Sequence, residues 1–129
     1  MQQPPPLTKE QKEKLAILAP QLKSCVKSAD LKKAKSITVQ IQELLRPTGH
    51  ETMLLQSKNW LYETAMESGH LTFAKSGFEG TIQKSSPKTR LNLEATSLLA
   101  ICYLREHNPV KAKELIIKAV ENINNIKSD

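Results

Sequence analysis

The sequence predicts an all-α protein of about six helices, arranged as a stack of three antiparallel helix hairpins. Three observations predict it. Apolar residues recur at helical spacing in successive segments. Proline, glycine and short polar runs separate those segments. No segment alternates apolar and polar residues over the length of a strand. The chain has 129 residues, which favours one domain.

"QQPPP" at Gln2–Pro6 excludes helix, because consecutive prolines lack the donors and fix the backbone. Residues 1–7 are therefore expected to be a flexible lead, and 8–127 a single helical domain. Thr8 with Gln11 three residues on has the form of a capping box. Leu15, Leu18, Leu22 and Val26 then follow helical spacing. Pro20 either kinks this helix or begins a new one, since proline is tolerated at a first helical position. After "SAD" a second helix carries Ala34, Ile37, Ile41 and Leu44 or Leu45 on one face, and "RPTGH" ends it. The third runs through "ETMLLQSKNWLYETAMES" to Gly69, and the fourth through "LTFAKSGFEGTIQK" to "SSPKT". The fifth, "RLNLEATSLLAICYLRE", is strongly apolar and breaks at "HNP". The last repeats apolar residues at Ala112, Leu115, Ile116, Ala119, Val120, Ile123 and Ile126, with the polar "ENINN" between them, which suits a capping helix.

Hydrophobic residues make up 39% of the chain and charged ones 25%, ordinary for a globular domain. Aromatics are only 4%, so aliphatic side chains must supply the core. No apolar run reaches the roughly 18–20 residues of a membrane span, and membrane insertion is not expected. The N-terminus has no early positive charge and no apolar core, so it does not read as a secretory signal. Cys25 and Cys102 lie far apart and in no CxxC pair, which points to neither disulfide nor zinc and to a reducing cytoplasm. The net charge of +6 permits nucleic acid as a partner. The excess is mostly dispersed lysine, with Arg46, Arg90 and Arg105 the only arginines, and bidentate readout favours arginine.

Catalytic constellations are absent from the pattern. Gly69, Gly77 and Gly80 lack the GxxxxGK[ST] spacing of a phosphate loop, and no strand precedes them. Gly77 and Gly80 instead fall inside a helix, where they make sense if a neighbouring helix comes close. His50, His70 and His107 have no metal-binding spacing. Glu63 and Glu67 stand one turn apart, as on a wet helix face. Neither metal nor cofactor is expected, nor any catalytic residue. Trp60 is read either as packing between repeated units or as an anchor for a partner.

Three stretches align with one another: "SADLKKAKSITVQI", "SGHLTFAKSGFEGT" and "EHNPVKAKELIIKA". Each begins at a turn and reaches an Ala-Lys pair, at Ala34, Ala74 and Ala112, with intervals of 40 and 38 residues. Nine residues before each alanine stand Cys25, Ala65 and Tyr103. This pattern resembles the tetratricopeptide repeat, a helix–turn–helix unit that stacks into a right-handed superhelix. The third unit fits best, at Leu99, Ala100, Tyr103, Ala112, Ile116 and Ala119. The second matches at Leu61, Gly69, Ala74 and Phe78, with Tyr62 where a small residue belongs. The first departs at Leu22 and Thr38. The period also exceeds the family's usual length.

The resemblance covers about Leu15–Ile126. It implies a concave groove lined by the first helix of each hairpin. Aligned on the repeat, Lys23 and Lys27 would face that groove in unit one. Gln56, Asn59, Glu63 and Glu67 would do so in unit two, and Ser97 and Arg105 in unit three. Asn59 matches one position of the family's carboxylate clamp, but Glu63 stands where a second asparagine is needed, so that activity is not implied. The function expected is a non-enzymatic scaffold or adaptor that binds a protein or peptide, or a second copy of itself. The alternative is a basic regulatory protein associating with nucleic acid.

Overall fold

A computed structural model describes residues 4–128, and for 125–128 the backbone alone. Ile126, placed on the last apolar stripe, thus lies outside the described side chains. Among the described residues there are six helices and no strand. They are α1 (Lys9–Ser28), α2 (Leu31–Leu45), α3 (Glu51–Glu67), α4 (Leu71–Lys84), α5 (Arg90–Arg105) and α6 (Pro109–Ser128), with a 3-10 turn at Arg46–Thr48. The chain divides into two compact units, Met1–Ser68 and Gly69–Asp129.

In the first unit α1, α2 and α3 pack on one another pairwise. The expected capping box opens α1. The Gln11 backbone N–H donates to Thr8 Oγ1 at 3.1 Å, and the Thr8 N–H donates to Gln11 Oε1 at 2.8 Å. Two donors that the first turn leaves free are thereby satisfied. Pro20 starts no new helix: α1 continues through it to Ser28. Pro20 is exposed, as is Ala16, whose carbonyl the proline cannot serve, so water can reach that oxygen. The core joins Leu22 and Cys25 of α1 to Ala34, Ile37, Ile41 and Leu45 of α2 and Leu61 of α3. The α2 residues recur at intervals of three and four, the stripe a core-facing helix needs.

In the second unit α5 packs against both α4 and α6. Its buried side chains include Ala74 and Phe78 of α4, Ala95, Leu99, Ala100 and Cys102 of α5, and Ala112 and Ala119 of α6. Helix α4 ends without a left-handed residue, its cap Ser85 being extended. Asn92 takes over its loose carbonyls: Nδ2 donates to Ile82 O at 3.0 Å and to Ser85 O at 3.2 Å. At the other end of α5, Lys75 Nζ meets Glu106 Oε1 at 2.6 Å and sits 4.9 Å from the Tyr103 ring centroid. These contacts tie α4 to the C-terminal end of α5.

One turn geometry recurs three times. Ala29, Gly69 and His107 have φ of 55°, 87° and 61°, each five residues before Ala34, Ala74 and Ala112. Those three alanines are all buried. At Ala29 and His107 the following N–H reaches back across the turn, Asp30 to Cys25 O at 3.1 Å and Asn108 to Tyr103 O at 2.8 Å. Asp30 and Asn108 then cap the next helix, accepting from Lys33 and Lys111 N–H. Only Gly69 is suited to left-handed backbone, where a Cβ crowds the carbonyl. Ala29→Gly is therefore expected to stabilise the first unit by about 0.5–1 kcal/mol, and Gly69→Ala to cost about 1 kcal/mol. Urea denaturation of both variants checks this; shifts in the same direction would contradict it.

The structure corrects the expected close contact at Gly80. A Cβ built there meets nothing within 4 Å. Gly80 thus carries the entropic cost of glycine in a helix without a packing reason. Gly80→Ala is expected to raise stability by about 1 kcal/mol, seen as a higher midpoint in a thermal melt. A drop would mean that space is needed there.

The last helix also differs from the capping role expected of it. Ala112 and Ala119 are buried and Leu115 and Ile123 half-buried, but Val110, Ile116, Ile117 and Val120 are exposed.

Candidate functional site

A cleft of about 310 Å³ runs between α1 and α3 in the first unit. Leu15 and Ala19, one turn apart on α1, form one wall. Thr52, Met53, Gln56, Ser57 and Trp60 form the other, as neighbouring positions on successive turns of α3. The floor is low because Ala19 and Ser57 are small. Ser57 is only 3% exposed, and its hydroxyl proton is taken by Met53 O at 3.0 Å. Trp60 is half-buried: it packs against the core cluster and also lines the cleft. The packing reading is thus seen, and part of the ring is left facing the cleft.

Leu15, Ala19 and Met53 continue into a second, shallower groove lined by Pro6, Leu7, Lys12, Ala16, Pro20 and His50. The chain's own N-terminal segment forms the edge of that groove. The Pro5 carbonyl accepts a hydrogen bond from His50 Nε2 at 2.8 Å, which requires the proton on that nitrogen. Leu7 packs against the core cluster. The lining is mostly aliphatic and aromatic, with amide and hydroxyl groups at intervals and Lys12 at its margin. Such a lining can hold an apolar segment and orient it by a few polar contacts.

The residues aligned on the repeat are distributed differently. Gln56 lies in the cleft. Lys23 and Lys27 are exposed one turn apart on α1 and line neither groove. Asn59 is only 2% exposed, so its amide is not offered at the surface. Its Oδ1 has no hydrogen-bond partner among the described residues, an arrangement that costs about 1–3 kcal/mol. Glu63 is half-buried and Glu67 exposed. Ser97 and Arg105 are exposed on α5, in the other unit, and the Ser97 hydroxyl donates to Leu93 O at 2.9 Å. The α1 wall was not foreseen, although Leu15 and Ala19 at i and i+4 carried the signal.

The ionisable groups favour packing chemistry. Burial pushes the Cys102 thiol from its ordinary 9.0 up to about 11, and raises Cys25 as well. Both are held as thiols, whereas a nucleophile needs the thiolate. Burial also raises the Tyr62 phenol, and the hydrogen bond to Glu106 raises Lys75. No three of His, Cys, Asp and Glu converge as metal ligands among the described residues.

All four groups bind their proton more tightly in the folded chain than in the unfolded one. Their contribution to stability is therefore complete below about pH 9 and is lost as pH rises. For Cys102 the loss falls between 9.0 and about 11, and amounts to about 2–3 kcal/mol in total. Lys75 adds its share above 10.5. Urea titrations between pH 7.5 and 10.5 should show falling midpoints, with a shallower pH slope in Cys102→Ala. An unchanged slope in that variant would contradict the assignment.

No helix of the described residues is long and apolar enough to cross a membrane. Comparison with protein-family models, curated proteins and solved structures found no match for this chain.

Proposed function

We propose that this chain is a non-enzymatic interaction module that holds a short apolar peptide segment of a protein partner in the α1–α3 cleft. The observation that carries the reading is the cleft itself, open along two helices and ending on the half-buried Trp60. Aromatic side chains in such positions anchor partners well, because they offer large contact area at little entropic cost. The N-terminal segment indicates the chemistry accepted: an extended run with proline and leucine already borders the adjoining groove.

The tetratricopeptide-like reading supports the same place. In that scheme α1 and α3 are the first helices of successive hairpins, the ones that line the groove. A reducing, cytoplasmic setting is in keeping with Cys25 and Cys102, which are both free and buried.

Net charge does not single out either unit for nucleic acid. The first unit has ten basic and seven acidic residues and the second nine and six, so each carries the same small excess. Selection of displayed peptides on the full chain tests the proposal, with binding read from the emission of Trp60, the only tryptophan. Apolar winners that move this emission support the cleft.

A further inference from the structure

Nine large hydrophobic side chains are strongly exposed among the described residues, and four of them are on α6. They are Val110 (70%), Ile116 (47%), Ile117 (49%) and Val120 (50%). The position occupied by Ile116 corresponds to Thr38 and Phe78 in the earlier hairpins, which are 3% and 0% exposed. Apolar side chains gathered in the open on one helix mark a surface that a partner covers.

At 100° per residue, Val110, Lys113, Ile117, Val120 and Glu121 share one side of α6, turned away from the buried Ala112 and Ala119. Their spacing of three and four residues is that of a helix-pairing seam. The charges select the occupant. Lys113 and Glu121 lie four residues on either side of Ile117. If a second α6 is laid antiparallel with the two-fold axis at Ile117, each Lys113 comes opposite the Glu121 of the second copy. Two ion pairs then flank an apolar centre by symmetry. Parallel pairing would set lysine against lysine and glutamate against glutamate. A purely apolar or lipid surface would bury Lys113 without a counter-charge.

We infer that α6 is a self-association surface, joining two copies of this chain as an antiparallel helix pair centred on Ile117. The pair uses none of the residues of the α1–α3 cleft, so either can fail without the other. Contact over two or three turns falls below the roughly 1,200 Å² of a stable interface, so the dimer is weak and concentration-dependent.

Sedimentation equilibrium of the full chain over a concentration series tests this at low salt. The wild type is expected to pass from monomer to dimer, and Ile117→Glu to remain monomeric. Lys113→Glu and Glu121→Lys should each weaken association by about tenfold, since each sets like charges opposite one another twice. The double variant K113E/E121K should return close to the wild-type constant. All these sites are exposed, and unchanged helical circular dichroism will confirm that the fold is kept. A wild type that stays monomeric throughout overturns the inference. So does a dimer indifferent to Ile117→Glu, or a double variant no better than the singles.

Discussion

Phe78→Ala is expected to destabilise the protein by about 3–5 kcal/mol, a large share of the roughly 5–15 kcal/mol that holds a domain folded. Phe78 is fully buried and heads the fully buried side chains in volume. It sits on the same face of α4 as Ala74 and Thr81, at intervals of four and three, and all three are buried. With so few aromatics in the chain, its volume has no ready substitute. The neighbouring alanines cannot expand to fill the space, and helices move only slightly to close such a cavity. Urea unfolding followed by circular dichroism measures the loss. A cost under about 1 kcal/mol would mean that Phe78 is not a keystone of its unit.

Trp60→Ala is expected to weaken peptide binding by about 2 kcal/mol or more, roughly thirtyfold. The indole forms one end of the α1–α3 cleft, and its removal leaves an open trough. Because Trp60 also packs against the core cluster, this variant loses some stability too. Gln56→Arg separates the two effects. Gln56 is half-buried on the cleft wall and absent from the core cluster, so a longer charged side chain there should obstruct binding while the melting temperature hardly moves. Binding that survives both substitutions would place the partner elsewhere.

Much of the fold was legible in the sequence because it rests on local chemistry. The capping box of Thr8 and Gln11 needs only four consecutive residues, and it formed as written. The buried face of α2 follows from spacing alone. Pro20 was ambiguous because its fate depends on whether water can reach the carbonyl it leaves unserved, and that is a matter of exposure. Gly80 was misjudged for a similar reason: spacing places it on a face, but only packing decides whether anything stands opposite. The role of Asn92 spans ten residues, from α5 back to Ile82, and no local pattern announces it.

The site was less legible than the fold. The repeat aligned residues by position, yet the cleft is made by side-chain size. Ala19 and Ser57 open it and Trp60 closes it. Asn59 was assigned to a groove by alignment, but burial removes it from the surface. The outer face of α6 looked polar in sequence because of "ENINN". Those residues cluster towards its end, while Val110, Ile116, Ile117 and Val120 precede all of them.

The α1–α3 cleft is the place proposed for a partner's apolar segment. The most direct measurement is the emission of Trp60 during titration with a peptide selected on the full chain, repeated with Gln56→Arg. A saturable blue shift is expected in the wild type, as water leaves the indole, and its loss in the variant at unchanged helicity. Equal affinity for both proteins, with Trp60 emission unmoved, would contradict it.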